Sequence, residues 1–170
     1  MKYKVNVIVC GPAIGKTYLK EHDDRFIDLD EIKSDYKYGY ENKSRLEKEQ
    51  GKLNRGKVIN EDSTEYVINI LEEEIKNNKI ILLAHNKKVV DYVIKNNIDY
   101  CLVYASLDSA DEYAERMKSR GNSDIFIEKM TNKDYWKDFY ELAKNNKTAK
   151  YKLELKRGEY LSDVIDNIIF

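Results

Sequence analysis

One segment near the start of the chain limits the possible folds more than any other. Residues 7–10 form an apolar run with the character of a buried strand, and a short Gly-Pro turn follows at Gly11. The sequence Gly15-Lys16-Thr17 comes next, at a point where a helix can begin. This is the layout of a phosphate-binding P-loop, in which backbone N–H groups and the positive end of a helix surround phosphate oxygens. The segment therefore predicts a nucleotide-binding site.

Each residue type in this loop suggests a contact with the nucleotide. Lys16 is expected to reach the β- and γ-phosphates of ATP, and the Thr17 hydroxyl is expected to ligate Mg²⁺. The other residues predicted to contact ATP are Gly11, Ala13, Ile14, Gly15 and Tyr18. The pattern is irregular at Cys10, which occupies the place of the first loop glycine. An ordinary strand-to-helix turn would explain the Gly-Pro pair but gives no reason for the Gly-Lys-Thr sequence.

Length and composition predict one folded domain covering residues 1–170. Of the 170 residues, 42% are hydrophobic and 36% are charged, which is typical of a globular chain with a sizeable core. The formal net charge of −1 makes a nucleic-acid partner possible but not favoured, because non-specific nucleic-acid binders are usually basic.

The distribution of apolar residues predicts a cytoplasmic protein. No apolar run approaches the length that spans a bilayer, so no membrane partner is expected. Residues 1–4 lead directly into an apolar strand without a cleavage-site pattern. Cys10 and Cys101 both fall in predicted strands and are expected to be buried, reduced thiols.

Strand-like and helix-like segments alternate along the chain, which predicts a doubly wound α/β domain. The predicted strands are 4–10, 25–30, 79–84, 99–105 and 150–155. The predicted helices are 17–21, 60–77, 86–96, 107–120, 126–130, 135–144 and 161–169. In the helix 135–144, the residues expected to pack inward are Trp136, Phe139, Tyr140 and Leu142.

Two carboxylates mark the end of the second predicted strand. Asp28 and Asp30 are two residues apart, so an extended chain would place both on one side of the strand end. Ligands of open parallel sheets bind beyond the carboxyl ends of the strands, which places this pair near the loop. We expect a catalytic base with a supporting Mg²⁺ or substrate contact. The alternative is a helix N-cap, since Asp30 precedes a helix-forming sequence, and both functions are compatible.

Residues 34–57 are polar and have no strong apolar face, which suggests a mobile insertion on the substrate side. Tyr36, Tyr38 and Tyr40 are spaced by two within it. One interpretation is that a tyrosine stacks on a base, and the other is that these rings cover a helix or loop surface.

Further along the chain, His85 ends the third predicted strand, where it would contact substrate or phosphate, or begin a helix through a hydrogen bond. Arg116 and Arg120 are four residues apart and share one face of a predicted helix. They are expected to belong to a closing lid or, alternatively, to pair with nearby Glu112, Glu115 or Asp124 on a solvated surface.

These segments together resemble a known family, the small P-loop kinases, which include nucleoside monophosphate kinases and the kinase domains of polynucleotide kinases. The chain is similar in particular to P-loop nucleotide-kinase-like proteins of bacteriophages and Gram-positive bacteria. The shared segments are the Pro-Ala-Ile-Gly-Lys-Thr loop, the His at the end of the third strand, Arg-Gly-Asn at 120–122 and Tyr-Leu-Ser-Asp-Val at 160–164.

The resemblance implies a P-loop NTPase fold, a three-layer α/β/α domain with a parallel sheet in the order 2-3-1-4-5 and a helical lid at about 108–134. It implies that Asp30 handles the acceptor hydroxyl, that Lys33 binds substrate beside Asp28 and His85, and that Arg116 and Arg120 act on the transferring phosphate. The implied cofactors are ATP and Mg²⁺, with Thr17 as the metal ligand.

The resemblance also implies the reaction, a transfer of the γ-phosphate of ATP to a nucleotide or nucleoside-like acceptor, catalysed by a monomer or homodimer. The alternatives are a kinase acting on a hydroxyl of DNA or RNA and a regulatory ATP-binding protein.

Overall fold

The structure is a computed structural model that describes residues 4–44, 46–47 and 58–169. It is an α/β fold in which five strands form one all-parallel sheet in the order β2-β3-β1-β4-β5, which confirms the predicted order. The strands are β1 Val7–Cys10, β2 Phe26–Asp28, β3 Ile80–Leu83, β4 Tyr100–Ala105 and β5 Tyr151–Leu155. The described α-helices are α1 Lys16–His22, α2 Leu29–Tyr38, α3 Thr64–Lys76, α4 Lys87–Lys95, α5 Ala110–Ser119, α6 Asp124–Thr131, α7 Lys133–Lys144 and α8 Leu161–Ile169. A 3₁₀ turn, Leu107–Ser109, precedes α5.

The central strands are apolar along their whole length because helices cover both faces of the sheet. Val7, at the start of β1, lies between Ile81 of β3 and Tyr100 of β4, and all three are buried. Cys10 and Cys101 are buried free thiols, as predicted, and burial raises the pKa of each to about 12. Among the described residues, no helix is both long enough and apolar enough to cross a membrane.

The alternation of side chains along β1 divides the core into two layers. Ile8 and Cys10 face one side, where they pack with residues of α1 and α8, including Leu19 and Leu161. Val7 and Val9 face the other side, which is covered by α2, α3, α4 and α7. The arrangement is therefore three-layered, with helices on both faces of the sheet.

A third, smaller cluster joins the helices after β4 to the loop after β1. Ala13 of that loop packs with Tyr113 and Met117 of α5, and Trp136 of α7 packs against them. The Trp136 indole N–H also donates to the carbonyl of Leu107 at 3.1 Å. The residues that were predicted to form a lid thus contact the loop directly.

The connections after β1 and β3 leave the sheet on opposite sides. These two strands are neighbours, yet α1 packs on one face through Leu19 and α4 packs on the other through Val89 and Val93. A crevice opens beyond the carboxyl ends of neighbouring parallel strands whose connections diverge in this way, and ligands of open α/β sheets bind in such crevices.

Several sequence expectations are corrected by the structure. The predicted strand 25–30 ends at Asp28, and α2 begins at Leu29, so residues 34–38 of the predicted polar insertion are helical. Residue 45 and residues 48–57 of that insertion lie outside the described part of the chain. Leu142, predicted to pack inward, is 74% exposed because α7 turns that position away from the sheet, whereas Tyr140 is buried.

Asp28 explains why the chain turns from strand to helix. It is the N-cap of α2, and its Oδ1 accepts the backbone N–H groups of Asp30 at 3.1 Å and Glu31 at 3.3 Å. The predicted alternation that placed both aspartates on one side of a strand is therefore wrong. A side-chain cap competes successfully with strand extension because it satisfies N–H groups that the first helical turn leaves free.

We expect Asp28→Ala to lower the free energy of unfolding by about 1 kcal/mol, the usual scale for losing an N-cap. Asp28→Asn should retain most of the stability, because an amide oxygen can accept the same two N–H groups. Urea denaturation at pH 7 measures both variants, and equal stability of the two would contradict the capping role.

The parent protein and Asp28→Asn also test how the free energy of unfolding depends on pH. Burial raises the pKa of Asp28, so the folded protein holds this proton more tightly than the unfolded chain. The associated stability is present at low pH and is lost as pH rises from the ordinary value of 3.8 through the folded pKa. The free energy of unfolding of Asp28→Asn should lack this pH-dependent contribution.

Candidate active site

The loop of residues 11–15 connects β1 to α1 in an unusual backbone conformation. Ala13 has a φ of 57° and Gly15 a φ of 103°, both in the left-handed region that residues other than glycine rarely adopt. A Cβ added at Gly11 would meet no described atom within 4 Å, so the chain leaves space there. Ile14 is buried in the core and anchors the loop.

Gly15 is the N-cap of α1 and has no side chain with which to cap it. Lys16 begins the helix, and Thr17 and Tyr18 are exposed in its first turn. The exposed Tyr18 ring stacks on the ring of His22, with the ring centres 4.0 Å apart.

Lys16 and Asp30 form the central contact of the site. The Lys16 Nζ lies 2.7 Å from Asp30 Oδ2, and the two side chains are 13% and 30% exposed. The other carboxylate oxygen, Oδ1, accepts the backbone N–H of Ala84 at 3.1 Å. Asp30 therefore joins the first turn of α1, the first turn of α2 and the end of β3.

The surrounding acidic groups favour the charged form of Lys16. Burial alone would lower its pKa, but the Cys10 thiolate, which forms only at high pH, and the Asp30 and Asp28 carboxylates outweigh that effect and raise it. Lys16 is therefore a cation throughout the physiological range, as a group that neutralises phosphate charge must be.

His85 lies beside Lys16 and Asp30 and is more exposed to solvent than either of them. Its pKa is lowered by the protein atoms crowded around it and by the charge of Lys16, while Asp30 acts in the opposite direction. Part of the His85 surface remains exposed to solvent. The neighbouring protein atoms therefore remove only part of its hydration shell, and this partial loss is the largest cause of the lowered pKa. Its ring meets the ring of Phe139 edge-on at 4.8 Å. A neutral imidazole in this position can accept or donate a hydrogen bond.

A cavity of about 430 Å³ opens next to Asp30. It is lined by Asp30, Lys33, Ser34, Lys37, Tyr38, Ala84, His85 and Asn86. A second cavity of about 450 Å³ shares Lys33, Lys37 and Asn86 with the first. Its remaining lining residues are Glu61, Asp62, Ser63, Thr64, Lys87 and Lys88. The two cavities thus adjoin along one turn of α2.

Two lysines of this lining are half-buried cations. Lys33 and Lys37 are one helical turn apart on α2, and within the described ranges neither takes part in an ion pair. By contrast, Lys87 pairs with Asp91 at 2.6 Å and Lys88 lies 4.0 Å from Asp62. Because Asp30 is engaged by Lys16, the lining of the first cavity carries an excess of positive charge, which favours an anionic ligand there.

The tyrosines of the predicted insertion serve different purposes. Tyr36 stacks on Tyr66 at 3.9 Å and packs α2 against α3, so it covers a helix surface. Tyr38 lines the first cavity and stacks on Tyr40 at 5.7 Å, which leaves base stacking open for Tyr38.

The residues present are compatible with Mg²⁺ brought by a nucleotide. Across the described part of the chain, no group of three or more His, Cys, Asp or Glu side chains could hold a metal ion. Mg²⁺ at phosphoryl-transfer sites commonly takes one or two protein ligands, with phosphate and water oxygens completing the shell. The exposed Thr17 hydroxyl at the start of α1 suits that limited role.

The two predicted lid arginines lie in different environments. Arg116 is 9% exposed, pairs with Glu112 and donates from Nη2 to the carbonyl of Glu159 at 3.0 Å. Arg120 lies beyond the last residue of α5 and is exposed. Pairing with Glu112 was one of the two alternatives for Arg116, although the pair is largely buried rather than solvated.

Sequence reasoning missed three contributors to this site. Lys37 could have been found from its spacing of four residues after Lys33. The N–H of Ala84 and the lining position of Asn86 left no signal, because any residue type supplies a backbone donor and the cavity depends on how α2 packs beside β3.

No family model and no curated protein matches this chain. Among solved structures, it is similar to an uncharacterized protein from Eubacterium ventriosum, with 14% sequence identity and a TM-score of 0.47. That alignment covers 95% of this chain and 93% of the other. A likeness at this level carries no information about function.

The charges around His85 make a direct test of the site geometry. We expect Lys16→Met to raise the pKa of His85, because a neighbouring cation is removed, and Asp30→Asn to lower it, because a neighbouring anion is removed. The chain has two histidines, so an NMR titration resolves both and His22 on α1 serves as the internal control. A His85 signal that titrates identically in all three proteins would contradict the cluster.

Proposed function

We propose that this protein is an ATP-dependent phosphotransferase and that residues 11–17 are a P-loop. The observation that carries the proposal is the contact between Lys16 and Asp30 at the mouth of a cavity. A cation beside an uncapped helix start suits phosphate, and a carboxylate facing a cavity suits an acceptor hydroxyl. Their contact supports the proposal because phosphoryl transfer needs both functions close together.

On the donor side, Lys16 would exchange Asp30 for the β- and γ-phosphates of ATP. The N–H groups at the start of α1, which no side chain caps, would donate to phosphate oxygens. The Thr17 hydroxyl would hold the Mg²⁺ that arrives with ATP, and that ion would help to neutralise charge on the transferring phosphate.

On the acceptor side, Asp30 is released when Lys16 turns to the phosphates. Its Oδ1 remains oriented by the N–H of Ala84, so Oδ2 can accept the proton of an acceptor hydroxyl. The acceptor oxygen then forms a bond to the γ-phosphorus, and the bond between that phosphorus and the bridging oxygen of ATP breaks to release ADP. His85 lies close enough to contact the acceptor.

The cavity lining narrows the choice of acceptor. Lys33 and Lys37 are cations without an ion-pair partner in the described residues, and they line the space beside Asp30. An acceptor that already carries a phosphate would supply their counter-charge. We therefore favour a nucleotide over an uncharged nucleoside.

A second candidate is a kinase that acts on a hydroxyl of DNA or RNA. The observation in its favour is the second cavity, where Lys87 and Lys88 continue the basic lining away from Asp30. Glu61 and Asp62 of the same lining reduce its positive charge.

Matched variants of the central ion pair separate the two proposed functions. Lys16→Met should weaken ATP binding and lower transfer about 10²-fold or more, because an oriented cation at developing phosphate charge is lost. Asp30→Asn should bind ATP at least as tightly as the parent, since the anion that competes for Lys16 is gone, and should lose transfer by about 10²-fold. Calorimetry with ATP and single-turnover transfer of labelled phosphate measure these effects. Parent-like ATP binding and transfer in Lys16→Met would refute the P-loop assignment.

The basic lining is tested with acceptors that differ only in a phosphate. Lys33→Met combined with Lys37→Met should raise the KM for a nucleoside monophosphate by about tenfold or more, the scale of losing hydrogen bonds to a charged group. The KM for the matching nucleoside and the Kd for ATP should stay unchanged.

The control for that experiment is Lys95→Met, which removes a positive charge at the exposed end of α4. A panel of nucleosides, their monophosphates and short oligonucleotides with free 5′ hydroxyls supplies the acceptors. A preference for oligonucleotides that weakens with added salt would favour the second candidate. Equal loss with charged and uncharged acceptors would contradict the role of the lysines.

A further inference from the structure

Arg116 lies in a nearly closed environment between two aromatic rings. Its guanidinium carbon is 4.8 Å from the centre of the Tyr113 ring and 3.7 Å from the centre of the Tyr160 ring. The side chain is 9% exposed, and its Nη1 is buried without a hydrogen-bond partner among the described residues. Stacking on tyrosine faces therefore helps to hold this arginine in place.

Arg116 and Glu112 together hold the turn that precedes α8. One oxygen of Glu112 pairs with Arg116, and the other, Oε2, accepts the backbone N–H of Gly158 at 2.9 Å. Arg116 donates to the carbonyl of Glu159 at 3.0 Å and stacks on Tyr160. One buried ion pair on α5 thus fixes three consecutive residues, 158–160.

The same turn touches the loop after β1. The N–H of Leu161 donates to the carbonyl of Ile14 at 2.9 Å. A Cβ added at Gly15 would lie 3.5 Å from Cδ1 of Tyr160, so that ring rests against the residue immediately before Lys16. A continuous path of direct contacts therefore runs from Arg116 through Tyr160 to the left-handed turn that begins α1.

We propose that Arg116 is a positioning residue for the ATP-binding loop. By holding Tyr160 and Leu161 in place, it maintains the conformation of Ile14 and Gly15 in which the N–H groups of α1 and the side chain of Lys16 are presented together. This proposal rests on the proposed function for its consequence, which is an effect of Arg116 on ATP affinity rather than on the rate of transfer.

The contacts of Arg116 distinguish this role from that of a lid arginine. To reach a transferring phosphate, the guanidinium would have to leave Glu112, the carbonyl of Glu159 and both rings. A positioning residue acts from where it already lies. The two roles predict opposite kinetics, because a lid arginine lowers kcat with little change in ATP binding, whereas a positioning residue lowers ATP affinity first.

The test compares Arg116→Met and Arg116→Lys with Lys118→Met. Lys118 is an exposed cation on the same helix, so its variant controls for charge loss and for substitution within α5. Arg116→Met should weaken ATP binding about tenfold or more while kcat at saturating ATP stays within about threefold of the parent. Arg116→Lys should recover part of the affinity, because it keeps a cation and a donor near Glu112. Lys118→Met should match the parent.

Hydrogen exchange of the protein without nucleotide provides a readout that does not depend on ATP. Arg116→Met should speed exchange in residues 11–19 and 158–165, while α3 and α4, which lie outside this contact path, keep the parent rates. Should Arg116→Met prove too unstable to study, Tyr160→Leu tests the same path from the other side of the stack and should produce the same pattern.

The outcomes separate the proposals. Exchange rates that match the parent in both segments overturn the positioning role. Unchanged ATP affinity with a large fall in kcat also overturns it and supports the lid function. If the parent protein binds no ATP, the proposed function fails. Faster exchange in residues 11–19 and 158–165 of Arg116→Met would still support the structural coupling between Arg116 and the loop.

Discussion

The contact between Lys16 and Asp30 is the interaction on which the arrangement of the site depends. It brings a cation from the start of α1 to a carboxylate in the first turn of α2, and it does so where both side chains are largely shielded from solvent. Shielding strengthens the attraction between the charges but also makes each costly to leave alone. The N–H of Ala84 fixes Asp30 from the third side, so three chain segments converge there.

This pair also sets the electrostatics of its neighbours. The charge of Lys16 contributes to the lowered pKa of His85, and Asp28 remains close by as a buried cap whose own pKa is raised by desolvation. An anion that replaced Asp30 as the partner of Lys16 would keep Lys16 paired and leave the Asp30 carboxylate free at the cavity. Under the function that we propose, donor binding and preparation for proton acceptance would then be one event.

Much of this fold follows from local pattern. The apolar segments 79–84 and 99–105 correspond to β3 and β4 to within a residue or so, and helix 161–169 corresponds to α8, because apolar periodicity alone specifies such elements. The sequence misled at residues 29–30 and at Leu142. At residues 29–30, the side chain of Asp28 ends the strand because it caps the following helix. At Leu142, the amphipathic helix α7 exposes to solvent a residue that was predicted to pack inward. Both outcomes depend on contacts that periodicity does not record.

The sequence by itself determined the order of the elements, the buried strand before the Gly-Lys-Thr loop and the acidic pair at the end of β2 and the start of α2. Those features arise from residues adjacent in the chain, where propensity and spacing act directly. Only the tertiary structure decided that Asp30 meets Lys16, that Ala84 orients it, and that Arg116 holds Tyr160 against Gly15. The Lys16–Asp30 contact joins residues 14 positions apart in the chain, and the Asp30–Ala84 contact joins residues 54 apart. Arg116 and Tyr160 are 44 positions apart, and Tyr160 and Gly15 are 145 apart. Which distant side chains meet depends on how the helices pack on the two faces of the sheet, and local sequence does not encode that packing.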